Sequence, residues 1–225
     1  MAEPTLLTKV ENIHQLLAKT YDLSAWQPRL QPVAELVNTI LSQNTNDHNR
    51  DLAFAALRDR YPTWEAVRDA PLAELIATIR PAGLAPTKAP RIQGALRRIS
   101  AARGEMSLDF LQEMPLEEAR TWLTDIRGVG PKTAAIVLLF ALGRPAFPVD
   151  THVHRVSQRL GLIPARTSRE KAHVLLEELV PPQLYYPLHL ELIAHGRAVC
   201  QARRPRCARC PLYEYCPYSE KDKFR

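Results

Sequence analysis

The sequence predicts an all-α fold, and three observations carry that expectation. Apolar residues recur at helical spacing, with Leu6, Val10, Ile13 and Leu17 at i, i+4, i+7 and i+11, which draws one stripe along a helix. The 19 prolines fall mostly where such stretches begin or end, positions at which a missing N–H and a fixed φ punctuate helices without breaking them. No segment of useful length alternates apolar and polar residues as a half-buried strand does.

The stripe from Leu6 sets an N-terminal helix. Pro28 and Pro32 mark the approach to a second over 32–43, and a third over 47–60 stops before Pro62. Pro71 opens 71–79, which ends before Pro81, and a helix over 87–102 follows. Pro115 opens 115–126 and Pro131 opens 131–143, the two joined through Gly128-Val129-Gly130. Beyond Pro145 and Pro148, Asp150 stands as the natural N-cap of 151–162, and Pro181-Pro182 separates 168–180 from 184–200. No low-complexity tract or solenoid-period repeat interrupts this series.

A chain of 225 residues has room for one large or two modest domains. With 46% hydrophobic and 24% charged residues it is composed like a globular protein. No apolar run approaches the roughly 18 residues needed to cross a bilayer, so a membrane role is not expected. Met1-Ala2-Glu3-Pro4 leads into the first stripe without the basic, apolar and small-residue regions of a signal peptide. A cytoplasmic monomer is the expectation.

The net charge of +6 is unevenly placed. From Arg197 to Arg225 eight Lys or Arg face three acids, so this end carries +5. A second block, Lys88, Arg91, Arg97, Arg98 and Arg103, contains no acid. Separate basic surfaces suit a polyanion that touches the protein in more than one place, although either block alone also reads as a solvated helix face.

All four cysteines, Cys200, Cys207, Cys210 and Cys216, lie in one segment with the spacing C-x6-C-x2-C-x5-C. Such crowding favours one metal centre over staples between distant parts. Disulfides suit small secreted chains, which this is not. Zinc accepts four thiolates, but its structural sites usually pair two C-x2-C knuckles. The compact run here is closer to those that hold [4Fe-4S] clusters, and zinc remains open on spacing alone.

The Gly128-Val129-Gly130 turn permits backbone geometry closed to other residues and leaves amide N–H groups at the start of the next helix, a natural phosphate seat. Read bare, Lys132 beside it is more often a phosphate contact than a nucleophile. Together, Gly-Val-Gly-x-Lys-Thr-Ala, then Val149-Asp150-Thr151-His152-Val153-x-Arg155-Val156, then the cysteine tail resemble the helix-hairpin-helix DNA glycosylases of the endonuclease III family. The resemblance runs from about Leu36 to Cys216.

That resemblance implies two helical lobes, a helical barrel over 31–144 and a cluster domain formed by 1–30 with 145–225, with DNA lying across the cleft between them. It implies a bifunctional glycosylase and abasic-site lyase acting on oxidised pyrimidines in duplex DNA that carries a damaged base or abasic site. Lys132 matches the catalytic lysine and Asp150 the essential aspartate, with a [4Fe-4S] cluster on Cys200, Cys207, Cys210 and Cys216. Asn44 stands where a glutamine that fills the DNA gap is often found, and Leu84 matches the residue that wedges into the base stack. Ala85-Pro86 departs from the more polar or aromatic neighbours usual there and leaves the lesion open. Gly128, Val129 and Gly130, with Arg203, Arg204 and Arg206, correspond to DNA-gripping elements. His152 matches the family pattern as local support.

Two rivals stay in view. One is a mismatch-type glycosylase of the same superfamily, against which Thr39 occupies the approximate place of that branch's catalytic glutamate. The other is a non-catalytic DNA-binding module with structural zinc.

Overall fold

The computed structural model describes residues 5–22 and 30–225. The Pro28 boundary and the Met1–Pro4 start read from the sequence lie outside the described residues. Within them the chain is helical, with no strand, as expected. The helices are α1 Leu6–Tyr21, α2 Pro32–Ser42, α3 Asp47–Arg60, α4 Trp64–Asp69, α5 Leu72–Thr78, α6 Ala85–Arg103, α7 Leu116–Thr124, α8 Pro131–Ile136, α9 Thr151–Arg159, α10 Arg169–Leu179 and α11 Tyr185–Ala198. None of the described helices is long and apolar enough to cross a membrane.

Contacts divide the chain into two compact units, one formed by residues 28–144 and the other by the described residues of 1–27 with 145–225. In the first, α2 is buried on every face, with Leu36, Val37, Ile40 and Leu41 fully enclosed, and it packs on α3, α6 and α8. A helix that buries nearly every side chain, Glu35, Asn38 and Thr39 among them, belongs at a core. In the second, α11 packs on α1 and α9. Val10, Ile13 and Leu17 supply the buried stripe of α1, whereas Leu6 is 51% exposed, so the burial starts one turn later than the spacing implies.

Side-chain caps set several starts. Thr5, Asn46, Thr63, Asp150 and Ser168 each accept a backbone N–H three residues on, which satisfies an otherwise orphaned donor of the first turn. The Thr63 cap opens α4, a helix of six residues that is too short to show periodicity and was not expected. The helix expected over 131–143 changes character: after Ile136 it continues as a π-helical stretch, Val137–Ala141, whose five residues are all buried. Widened turns of this kind often neighbour functional sites.

Candidate active site and metal centre

In the unit of 28–144, the hairpin between α7 and α8 requires glycine at one position for two independent reasons. Gly128 has φ +91, and a Cβ added there would lie 2.6 Å from Cδ of Arg91. Its carbonyl accepts a hydrogen bond from Nε2 of Gln43 at 3.0 Å. Val129, expected at the DNA, is 5% exposed, and its N–H is spent on the Ile126 carbonyl. Gly130 offers no side-chain cap and Pro131 holds the first helical position. The first intrahelical bond comes at Ala134 N–H to Gly130 O, so the amides of Lys132 and Thr133 precede the ladder and are placed to meet an anion. Lys132 is exposed on this first turn and Thr133 is buried.

Two further turns of the same unit hold non-glycine residues in the left-handed region, Asn44 at φ 52 and Leu84 at φ 49. Asparagine tolerates that conformation, while leucine meets a steric cost of roughly 1–2 kcal/mol. Leu84 nevertheless stays 55% exposed, directly after Gly83 at φ 68. A leucine held in the left-handed region is an outlier of the kind that concentrates at functional sites.

The second basic block is surface only in part: Arg97, Arg98 and Arg103 are exposed, Arg91 is half-buried and Lys88 is enclosed. Lys88 is 1% exposed and donates from Nζ to the carbonyls of Leu41 at 2.7 Å and Ala82 at 2.8 Å. Burial pushes its pKa down to about 8. Arg91 donates to Oε1 of Gln43 at 3.3 Å, Arg98 lies over Trp122, and Arg103 lies over Phe110. Thr39 is buried, with its hydroxyl donating to Oε1 of Glu35 at 3.4 Å.

In the other unit, Asp150 caps α9 through Oδ1, which accepts from Val153 N–H at 2.7 Å. The backbone leading to it is held by residues the sequence did not single out. His173 Nδ1 donates to the Phe147 carbonyl at 3.0 Å, His189 Nδ1 donates to the Pro148 carbonyl at 2.8 Å, and Phe147 N–H donates to Oε1 of Glu177 at 2.7 Å. His152 faces Gly196, where an added Cβ would lie 2.9 Å from the His152 Cβ, and its Nδ1 accepts from Arg155 Nη2 at 3.2 Å. Arg155 also donates to the carbonyls of Cys200 and Gly196. His154 Nε2 donates to the Thr167 carbonyl.

The four cysteines form no disulfide and line one small cavity together with Arg159, His195 and apolar atoms of Leu160, Val199, Pro205 and Tyr218. Burial, and then the neighbouring thiolates, push up the pKa of Cys207, and of Cys210 to about 11. Thiols whose ionisation is opposed by burial and by neighbouring sulfurs are ionised together by a cationic centre. No group of three or more His, Cys, Asp or Glu among the described residues is set to hold a single metal ion. Four cysteines lining one cavity are a donor set that would suit a polynuclear iron-sulfur cluster.

The arginine that meets the sulfurs is Arg159, whose Nη1 donates to Sγ of Cys200 at 3.4 Å and whose two Nη atoms also hold the carbonyls of Gln201 and Ala202. It stands one turn beyond Arg155 on α9, an i,i+4 spacing visible in the sequence. His195 Nε2 lies 3.6 Å from Sγ of Cys210, and its Nδ1 meets the Tyr21 hydroxyl at 3.1 Å. Arg203, Arg204 and Arg206 are exposed, on a loop whose Pro205 is buried against the cavity.

Comparison with known proteins is consistent over most of the chain. Residues 37–182 match the HhH-GPD superfamily of base excision DNA repair proteins, and residues 200–216 match the iron-sulfur binding domain of endonuclease III. Endonuclease III of Thermotoga maritima is 35% identical over 187 residues, which cover 83% of each chain. The Sulfolobus acidocaldarius enzyme is 34% identical over 82% of this chain and 81% of its own. A DNA-glycosylase homologue of Arabidopsis thaliana is 38% identical, and the match spans 58% of its length. A solved complex of endonuclease III trapped as a covalent intermediate with DNA superposes with a TM-score of 0.82 at 30% identity, covering 96% of this chain and 98% of that one.

Proposed function

Because the chain belongs to the endonuclease III family of HhH-GPD base excision DNA repair proteins, we propose that it is a bifunctional DNA glycosylase and abasic-site lyase that removes oxidised pyrimidines from duplex DNA. The observation that carries this reading is an exposed Lys132 on the first turn of a helix opened by uncapped Gly130-Pro131. Phosphate seated on the hairpin amides sets the strand, and the neighbouring amine meets the sugar.

The Lys132 amine attacks C1′ of the damaged nucleotide, the glycosidic bond breaks, and the base leaves with a proton. The C1′–O4′ bond then opens to give a Schiff base with Lys132. Loss of a C2′ proton breaks the C3′–O bond and cuts the strand on the 3′ side, and water later releases the lysine. Asp150 offers negative charge as positive charge develops on the sugar and takes part in the proton transfers. Its cap bond to Val153 N–H fixes one oxygen and leaves the other for that task. Asn44 and Leu84 enter the duplex at the lesion, offsetting an unstacking cost of a few kcal/mol.

The four cysteines hold a [4Fe-4S] cluster. Bound by Cys200 and Cys207, which bracket the loop, the cluster would brace the backbone from which Arg203, Arg204 and Arg206 reach phosphates. A set of duplexes, each carrying one defined lesion, scored separately for base release and strand cleavage, tests the reading. Release and cleavage on oxidised pyrimidines support it, and a chain that releases none of them sinks it.

A further inference from the structure

Lys88 is buried in the unit of 28–144 without a carboxylate partner among the described residues. Among the described residues its side chain donates to the carbonyls of Leu41 and Ala82. An ammonium at 1% exposure is a costly way to fill a core, and its pKa, pushed down to about 8, registers that cost. Packing alone is better served by methionine or leucine. The carbonyls it takes explain the choice. Leu41 stands just ahead of Asn44 and Ala82 just ahead of Leu84, and these are two of the three non-glycine residues at positive φ among the described residues.

The same helix face makes a further connection. Arg91 follows Lys88 by three positions on α6, so the two side chains are neighbours. Arg91 donates to Gln43, and Gln43 donates to the carbonyl of Gly128.

We propose that Lys88 is a positioning residue: it ties the Asn44 turn to the Leu84 turn and, with Arg91 and Gln43, ties both to the Gly128 hairpin, so that three turns meet DNA as one preset surface. The inference rests on the reading of those turns as DNA-facing. Preset geometry lowers the ordering cost of binding. A loose Leu84 turn would have to be fixed again each time the base stack is opened.

The test uses the full-length, iron-loaded chain and a duplex with a tetrahydrofuran abasic analogue opposite 2-aminopurine, whose fluorescence rises on unstacking. Wild type, Lys88→Met, Leu84→Ala and the double variant are compared for dissociation constant and fluorescence gain, with melting temperatures taken alongside. Lys88→Met is expected to weaken binding roughly tenfold and to remove most of the fluorescence gain, and the double variant is expected to lie within about twofold of Leu84→Ala, because lysine acts through the wedge turn. If Lys88→Met lowers only the melting temperature, or if its effect on unstacking multiplies with that of Leu84→Ala, Lys88 is a core support and the proposal is overturned. An unaltered Leu84→Ala removes the premise, and the proposal with it, by a result that variant alone reports. Should Lys88→Met melt below the assay temperature, Lys88→Gln, whose amide reaches one of the two carbonyls, carries the same cycle with an intermediate effect.

Discussion

Replacing Gly128 with alanine perturbs the hairpin through two terms that can be separated. The φ of +91 costs an L-residue about 1–2 kcal/mol. The new Cβ also lies 2.6 Å from Arg91 Cδ, so the arginine must withdraw from Gln43, which forfeits a hydrogen bond worth about 1 kcal/mol. The expected loss is thus roughly 2–3 kcal/mol, a sizeable part of the 5–15 kcal/mol that usually holds a domain together. In the Gly128→Ala/Arg91→Ala double variant the contact disappears while the φ strain remains. That variant should therefore be more stable than the sum of the singles by about 1 kcal/mol. Urea unfolding of the four proteins, with iron content checked in each, measures both quantities. A Gly128→Ala variant within about 0.5 kcal/mol of wild type, or strict additivity in the cycle, refutes the reasoning.

Asp150→Asn keeps a good helix cap, so stability should change by less than about 1 kcal/mol, while single-turnover base release should fall by at least about 100-fold; a large melting-temperature loss with little kinetic effect would reassign the residue to structure. Arg204→Ala should flatten the plot of log affinity against log salt by about one phosphate contact and leave the bound-state rate alone; equal slopes would make the loop a solvated face. Lys88 has a folded pKa near 8, below its unfolded value, so the unfolded chain binds more protons between the two and this group's contribution to stability rises with pH across that window. Wild type should accordingly gain roughly 1–3 kcal/mol over Lys88→Met between pH 7 and pH 10, and denaturant titrations at both pH values check the sign.

Much of the fold was legible because its signals are local. Proline at Pro32 and Pro131, the cap at Asp150 and the buried side of α1 each act within a few residues of where they stand. The cysteine site was legible for the same reason, since four ligands in one segment need little of the rest of the fold. What escaped depends on distant partners. Lys88 reads as surface charge until the carbonyls of Leu41 and Ala82 enclose it. His173, His189 and Glu177 hold the approach to Asp150 across 26 to 41 residues of sequence. Arg159 reaches a cysteine 41 residues away. Val129, placed at the DNA by the resemblance, has its side chain 5% exposed, which its position between two glycines does not reveal.

The central claim is that the Lys132 amine is the nucleophile. Borohydride reduction during reaction with an abasic-site duplex should trap wild type on DNA, with the adduct mapping to Lys132. Lys132→Gln should give no trapped adduct and no base release while binding the same duplex nearly as well as wild type. An adduct that forms at the wild-type rate in Lys132→Gln would place the chemistry on another amine and contradict the account.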